Sequence, residues 1–143
     1  MKVLILNGPN LKRLDLREKN IYGDFDYASL ISEVTKFGSA NGLDVEMRQS
    51  DDEATLVGWL HEAADNNLPL IFNPAAFTHY SYAIRDAVAM LKAPVIEVHL
   101  SNPLSREEFR HTSVISGVVN GTISGFGIDS YRLALLALKG LAS

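Results

Sequence analysis

Five short apolar runs divide the chain, and the stretches between them mostly carry helical spacing. Val3 to Leu6 is apolar at every position, as expected of a strand buried on both faces; Leu68 to Phe72 reads as another buried strand and Pro94 to Val98 as a fourth. Leu43 to Arg48 alternates and reads as a strand near an edge, and Val118 to Ser124 as a fifth, glycine-interrupted strand. Asp26 sits where it can cap a helix running to about Asn41, with Leu30, Val34 and Phe37 on one face and Gly42 at the stop. Glu53 to Asn66 carries Leu56, Trp59, Leu60 and Ala63 on one side. Thr78 is placed to cap a helix to about Lys92, Ser105 to Arg110 reads as a short helical turn, and Asp129 to about Leu141 as a last helix. Strands that alternate with helices in this way build an open parallel sheet covered on both faces. Five of them predict an α/β, flavodoxin-like three-layer sandwich with strand order 2-1-3-4-5. At 143 residues the expectation is a single domain over 1–143.

Such sheets bind ligands beyond the carboxyl ends of their strands, near the point where strand order reverses. Polar residues gather there. The first strand ends in Asn7-Gly8-Pro9-Asn10, the third in Asn73-Pro74-Ala75-Ala76 followed by Thr78-His79, and the fourth in Glu97-Val98-His99-Leu100-Ser101-Asn102. Residues 11–25 lack periodicity and read as a long loop, a feature that is usually functional in a compact domain.

Composition removes several alternatives. There are no cysteines, so thiolate chemistry and disulfides are excluded. The net charge of −4 argues against a nucleic-acid binder. No apolar run approaches the ~18–20 residues needed to span a bilayer, and the N-terminal run reads as a strand, so a cytoplasmic protein is expected. The four histidines show no paired-ligand spacing, so no metal is expected. Asn73 stands where a response regulator carries its phosphorylated Asp, and neither a GxGxxG nor a Lys-bearing glycine loop is present.

The segments NGPNL (7–11), RExxIYG (17–23), NPAAFTHYS (73–81), EVHLSN (97–102), REEFRHxS (106–113) and GFGxxxY (125–131) run almost end to end. In order and spacing they resemble the type II 3-dehydroquinate dehydratases. The resemblance implies removal of water from 3-dehydroquinate to give 3-dehydroshikimate by anti elimination through an enolate, without metal or organic cofactor. This step belongs to the shikimate pathway and to quinate breakdown. It also implies a homo-oligomer, commonly a dodecamer built as a tetramer of trimers.

By matching position, Tyr22 is the base and Arg17 its activator. Asn10, with an ordered water, stabilises the enolate oxygen. His99, held near Asn73, protonates the departing hydroxyl. Backbone N–H groups of Leu100 and Ser101 hold the substrate carboxylate, and His79 and Arg110 bind ring hydroxyls. Asp86 matches a residue contributed across a subunit interface. A free phenol titrates near ~10, so a tyrosinate base at neutral pH needs about 4 kcal/mol of preferential stabilisation. Burial alone works against the anion, and an exposed ion pair supplies only ~0–1 kcal/mol, so the resemblance requires Arg17 to act inside a partly closed site. The 11–25 loop is the expected lid.

This lid departs from the family pattern at Lys12, Arg13, Asp15 (for Gly) and Lys19 (for Pro). These changes predict altered lid dynamics rather than lost chemistry, with Lys12 or Arg13 adding positive charge near the pocket. The family's QSNxEG is here Gln49-Ser50-Asp51-Asp52-Glu53-Ala54, expected to lie away from the site. A non-catalytic sensor on the same scaffold, or a lyase for another cyclic hydroxy acid, are the alternative readings.

Overall fold

The computed structural model describes residues 1–142. Five strands, β1 (Lys2–Asn7), β2 (Asp44–Gln49), β3 (Leu70–Asn73), β4 (Val95–His99) and β5 (Gly121–Ser124), form one sheet in the order β2-β1-β3-β4-β5. Every neighbouring pair is parallel, as the rhythm of apolar runs predicts. Along β1 the side chains alternate between the two faces. Val3 and Ile5 pack with α2 (Tyr27–Ala40) and α5 (Ile128–Ala142), through Leu30, Val34, Leu135 and Leu138. Leu4 and Leu6 pack with α3 (Glu53–Asp65) and α4 (Tyr82–Val88), through Leu56, Leu60, Ile84 and Val88. All four β1 side chains are fully buried. Each such burial is worth about 1.5–3 kcal/mol, so the central strands are fixed from both sides.

One expected cap forms, and a second that the sequence reading did not name. Asp26 accepts from the Ser29 N–H at 2.8 Å, as predicted, and Asp52 accepts from the Thr55 N–H at 3.1 Å at the start of α3. The expected 78–92 helix is different. Residues Ala75–His79 form a 3₁₀ turn, Tyr80 breaks it at φ −153°, and α4 starts after Ser81, which accepts from the Ile84 N–H at 3.1 Å. Thr78 cannot cap because its hydroxyl is directed at Glu97. Ser105 to Arg110 splits into two turns, Pro103–Ser105 and Glu108–His111. Val118 belongs to a turn before the shorter β5.

The 11–25 segment is more ordered than its charge pattern suggests. It holds a 3₁₀ stretch Leu11–Leu16 and a single helical turn, α1 (Lys19–Tyr22). Leu11, Leu14 and Tyr22 are buried in the same cluster as α2 and α5. The lid is therefore anchored by apolar contacts at its two ends, with charged residues facing out between them. No helix among the described residues is long and apolar enough to cross a membrane.

Candidate active site

A cleft of about 590 Å³, counting space open to solvent, lies beyond the carboxyl ends of β1, β3 and β4. The sheet order makes this position, because connections from β1 leave towards β2 on one side and those from β3 towards β4 on the other. Nine of the ten residues singled out in the sequence line it: Asn10, Arg17, Tyr22, Asn73, His79, His99, Leu100, Ser101 and Arg110. Asp86 does not. It is exposed on α4 and pairs with Arg85 at 2.9 Å.

Two loops are drawn tightly together to form the floor. The Gly8 N–H donates to the Asn73 carbonyl at 2.8 Å, and a Cβ on Gly8 would lie only 2.6 Å from the Pro74 carbonyl oxygen. Only glycine allows this approach. Both loops then use left-handed backbone at residues with side chains, Asn10 at φ 71° and Ala75 at φ 52°. Asparagine tolerates this conformation; for alanine it costs roughly 1–2 kcal/mol. The bend at Ala75 is held by its N–H donating to Asn73 Oδ1 at 3.1 Å. The Asn10 N–H donates to Asp51 Oδ1 at 2.9 Å, and Gln49 Nε2 donates to the same carboxylate at 2.9 Å and to the Gly8 carbonyl at 3.1 Å. The Gln49–Asp51 segment, expected to lie away from the site, thus supports its first loop: β2 runs parallel to β1 in register, so both carboxyl ends arrive together.

On the lid side, Arg17 Nη2 donates to the Tyr22 hydroxyl, and its Cζ lies 3.9 Å from the ring centroid. A second guanidinium approaches the same ring, with Arg106 Cζ 4.9 Å from the centroid. Arg106 Nη1 donates to Ser101 Oγ at 3.1 Å, and its Nε is the buried side-chain polar atom without a hydrogen-bond partner among the described residues. Arginine only donates, so the Tyr22 oxygen is an acceptor here, and such bonds are strongest to an anionic oxygen. Tyr22 is 7% exposed, so the interaction is poorly screened by solvent. Arg106 was given no role from the sequence, although it stands in the quoted REEFRHxS segment. Arg13 is spent on Asp15, with two contacts of 3.0 Å, and neither Arg13 nor Lys12 lines the cleft.

Across the cleft, His99 does not depend on Asn73. Its Nε2 lies 2.6 Å from Glu97 Oε2. The two residues are i and i+2 on β4, so their side chains point to the same face of the sheet. Glu97 is 1% exposed. Burial pushes its carboxyl up, but hydrogen bonding and charge from His99, with hydrogen bonds from Thr78 and Ser116, outweigh this and leave it below its ordinary value. Facing a carboxylate, His99 Nε2 is assigned the hydrogen, which leaves Nδ1 as the exchanging atom. His79 is pushed below its ordinary value by burial first, with the His99 and Arg110 charges adding to this, against the Thr112 carbonyl contact at 2.7 Å. It is therefore suited to hydrogen-bond as a neutral imidazole.

Asn73, which lines the cleft with His99, is also tied into the fold. Its Nδ2 donates to the Tyr131 hydroxyl at 2.9 Å, and that hydroxyl donates to Asn7 Oδ1 at 2.6 Å. All three residues are buried. Burial pushes the Tyr131 phenol far above its ordinary value, with the Asn73 hydrogen bond opposing. Tyr131 ties the ends of β1 and β3 to α5, and so fixes both floor loops. Its only sequence signal was the final position of the GFGxxxY segment.

Arranged together, a phenol under two guanidinium groups faces a carboxylate-backed imidazole, with amide and small polar groups at the floor. Such a site can remove a proton from one atom of a small oxygenated molecule and deliver one to another. Residues 1–139 match the model of the family described as Dehydroquinase class II. The chain is 55% identical over 135 residues to a 3-dehydroquinate dehydratase of Salinispora tropica, covering 94% of each chain. It is 51% identical to that of Halalkalibacterium halodurans, covering 95% of this chain and 94% of the relative. Among solved structures it is similar to a type II dehydroquinase from Propionibacterium acnes, with a TM-score of 0.95, 51% identity, and coverage of 97% and 96% of the two chains.

Proposed function

We propose, from the premise that the chain belongs to the class II dehydroquinase family, that it removes water from 3-dehydroquinate to give 3-dehydroshikimate. Tyr22, as tyrosinate, takes a proton from the carbon next to the ketone. The electron pair moves to the carbonyl oxygen and forms an enolate, stabilised by Asn10 and an ordered water. The enolate collapses, the β-hydroxyl leaves on the opposite face, and His99, carrying hydrogens on both ring nitrogens, gives the one on Nδ1 to make it water and is left as the Nε2–H imidazole. Arg17 and Arg106 favour the tyrosinate, and Glu97 holds His99. Backbone N–H groups of Leu100 and Ser101 hold the substrate carboxylate, with His79 and Arg110 on the hydroxyls and Asn73 shaping the floor.

The observation that carries this reading is the Arg17–Tyr22 hydrogen bond inside a cleft whose other wall is His99 backed by Glu97. A sensor would need the binding groups but not this pair. We read residues 1–143 as one dehydroquinase domain that works as a homo-oligomer in the cytoplasm, a dodecamer of four trimers in the family's pattern. Asp86 then serves a neighbouring subunit's site, consistent with its exposure and with the exposed Tyr80 and Tyr82 nearby in sequence.

The test follows the conjugated ketone of the product by ultraviolet absorbance. The purified protein should turn over 3-dehydroquinate. Tyr22→Phe should lower kcat by at least ~10³-fold, since a base that acts in the transition state contributes about 10²–10⁴-fold, and should still bind the product. A Tyr22→Phe enzyme with near-normal kcat removes Tyr22 as the base.

A further inference from the structure

The Glu97–His99 pair rests on a hydroxyl network that the mechanism above does not use. Glu97 Oε2 accepts from Thr78 Oγ1 at 2.6 Å as well as from His99, and Oε1 accepts from Ser116 Oγ at 2.7 Å. Thr78 Oγ1 is also 2.6 Å from Ser113 Oγ. A hydroxyl has one hydrogen. With Thr78 giving its hydrogen to Glu97, Ser113 must donate to Thr78. Ser113 Oγ in turn accepts the N–H groups of Ile115 at 3.1 Å and Ser116 at 3.0 Å. Every hydrogen in the network is then directed towards the carboxylate.

We propose that Ser116 and Thr78 are positioning residues for the acid of this reaction, holding Glu97 as a carboxylate aimed at His99 Nε2 and so keeping Nδ1 as the proton-exchanging atom. The proposal rests on the dehydratase reading. Neither hydroxyl lines the reaction cleft; both line a second pocket that shares His99 with it. They therefore act on the proton and not on substrate binding. Without Ser116, one carboxylate oxygen loses its hydrogen-bond donor, and Glu97 is free to rotate or to hold a proton against His99. The histidine would then meet an O–H in place of a lone pair, and its tautomer would no longer be fixed. The other charged and titratable groups facing this pair are His79 and Arg110 on the cleft side, with His111 in the second pocket and Arg106 in the cleft. All are retained in the variants below.

The experiment uses the full chain. Ser116→Ala is the first variant, because Ser116 is exposed as a residue and its loss does not open the core. Thr78→Val and the conservative pair Ser116→Thr and Thr78→Ser complete the set. Expected are an about ten-fold fall in kcat for Ser116→Ala, or about 1.4 kcal/mol, with KM within two-fold of the unsubstituted enzyme. Ser116→Thr should restore kcat. Imidazole ¹⁵N shifts of His99, followed over pH without substrate, should show in the unsubstituted protein an Nε2 that keeps its hydrogen while Nδ1 alone gains and loses one, and in Ser116→Ala a neutral form that is a mixture of both tautomers. The proposal is overturned if kcat stays within two-fold, if KM rises in step with the loss, if Ser116→Thr is as poor as alanine, or if the His99 nitrogens do not move. If the unsubstituted protein fails to dehydrate 3-dehydroquinate, the functional reading fails. The nitrogen shifts still decide whether Ser116 sets the His99 tautomer.

Discussion

Tyr131→Phe is the most informative single change outside the reacting groups. It deletes one oxygen from a fully buried ring and leaves the packing surface of α5 unchanged. What it removes is the acceptor for Asn73 Nδ2 and the donor to Asn7 Oδ1. Asn7 keeps a long contact from its Nδ2 to the Arg48 carbonyl at 3.4 Å and its interaction with the Tyr27 hydroxyl, and Asn73 keeps its bond from the Ala75 N–H. Two buried polar atoms are stranded, each costing about 1–3 kcal/mol. A total loss near 2–5 kcal/mol is expected, a large part of the ~5–15 kcal/mol that stabilises a domain. For a chain of this size the Tm should fall by about 6–15 °C. Urea unfolding followed by far-ultraviolet circular dichroism measures the difference, with an unchanged slope showing that the compactness of the two end states is the same. There is a second signature. The folded state holds the Tyr131 phenol above its ordinary value, so the folded chain keeps this proton where the unfolded chain loses it. Stability from this group is intact below pH ~10 and declines as pH rises above it. That alkaline decline should be shallower in Tyr131→Phe. A loss under 1 kcal/mol, with the alkaline slope unchanged, refutes the account of Tyr131 as the tie between the floor loops.

Two further outcomes follow from the lid. Arg106→Met keeps the length of the side chain but removes its charge from the Tyr22 ring and its bond to Ser101; kcat should fall by at least ten-fold, because a desolvated cation–π contact and a charged hydrogen bond each contribute about 1.5–2 kcal/mol, and the loss should be largest at low pH. An unchanged pH–kcat profile assigns Arg106 to packing. Converting Asp15→Gly with Lys19→Pro releases Arg13 and breaks the exposed Lys19–Asp24 pair; kcat and KM should change together with ionic strength, and identical kinetics in the two proteins would show that the lid substitutions are silent.

Much of the fold was legible because β1, β3 and β4 are buried on both faces, so that β1 and β3 appear as apolar runs and β4 as one broken only by Glu97. The strand-end rule then located the cleft and six of its residues, Asn10, Asn73, His79, His99, Leu100 and Ser101, while Arg17, Tyr22 and Arg110 came from the family resemblance. The remainder depended on contacts between segments far apart in the chain. Glu97 carried a usable signal, since a carboxylate inside the run Val95-Ile96-Glu97-Val98 must find buried donors. His99, two residues on, is one of them, although the sequence reading looked to Asn73 as the neighbour that holds His99. Thr78 looked like a helix cap because a capping serine or threonine and a serine or threonine that bonds a remote carboxylate have the same local pattern. Ala75 gave no signal, since nothing in Asn-Pro-Ala-Ala indicates a left-handed residue. Arg106 lay among three other charged residues of a segment that reads as a solvated turn, and only the folding of residues 101–111 back over Tyr22 separates it from them.

The Asn7–Tyr131–Asn73 tie spans 124 residues of sequence. During synthesis at about 5–20 residues per second, the first floor loop emerges many seconds before the phenol that fixes it. β1, β2 and β3 can pair in that interval, but Asn7 and Asn73 meet their partner only when α5 docks. A nascent chain stalled before Tyr131 therefore holds most of the catalytic side chains and no assembled floor. The floor is completed only when the last helix docks, as a single late event in the folding of each chain.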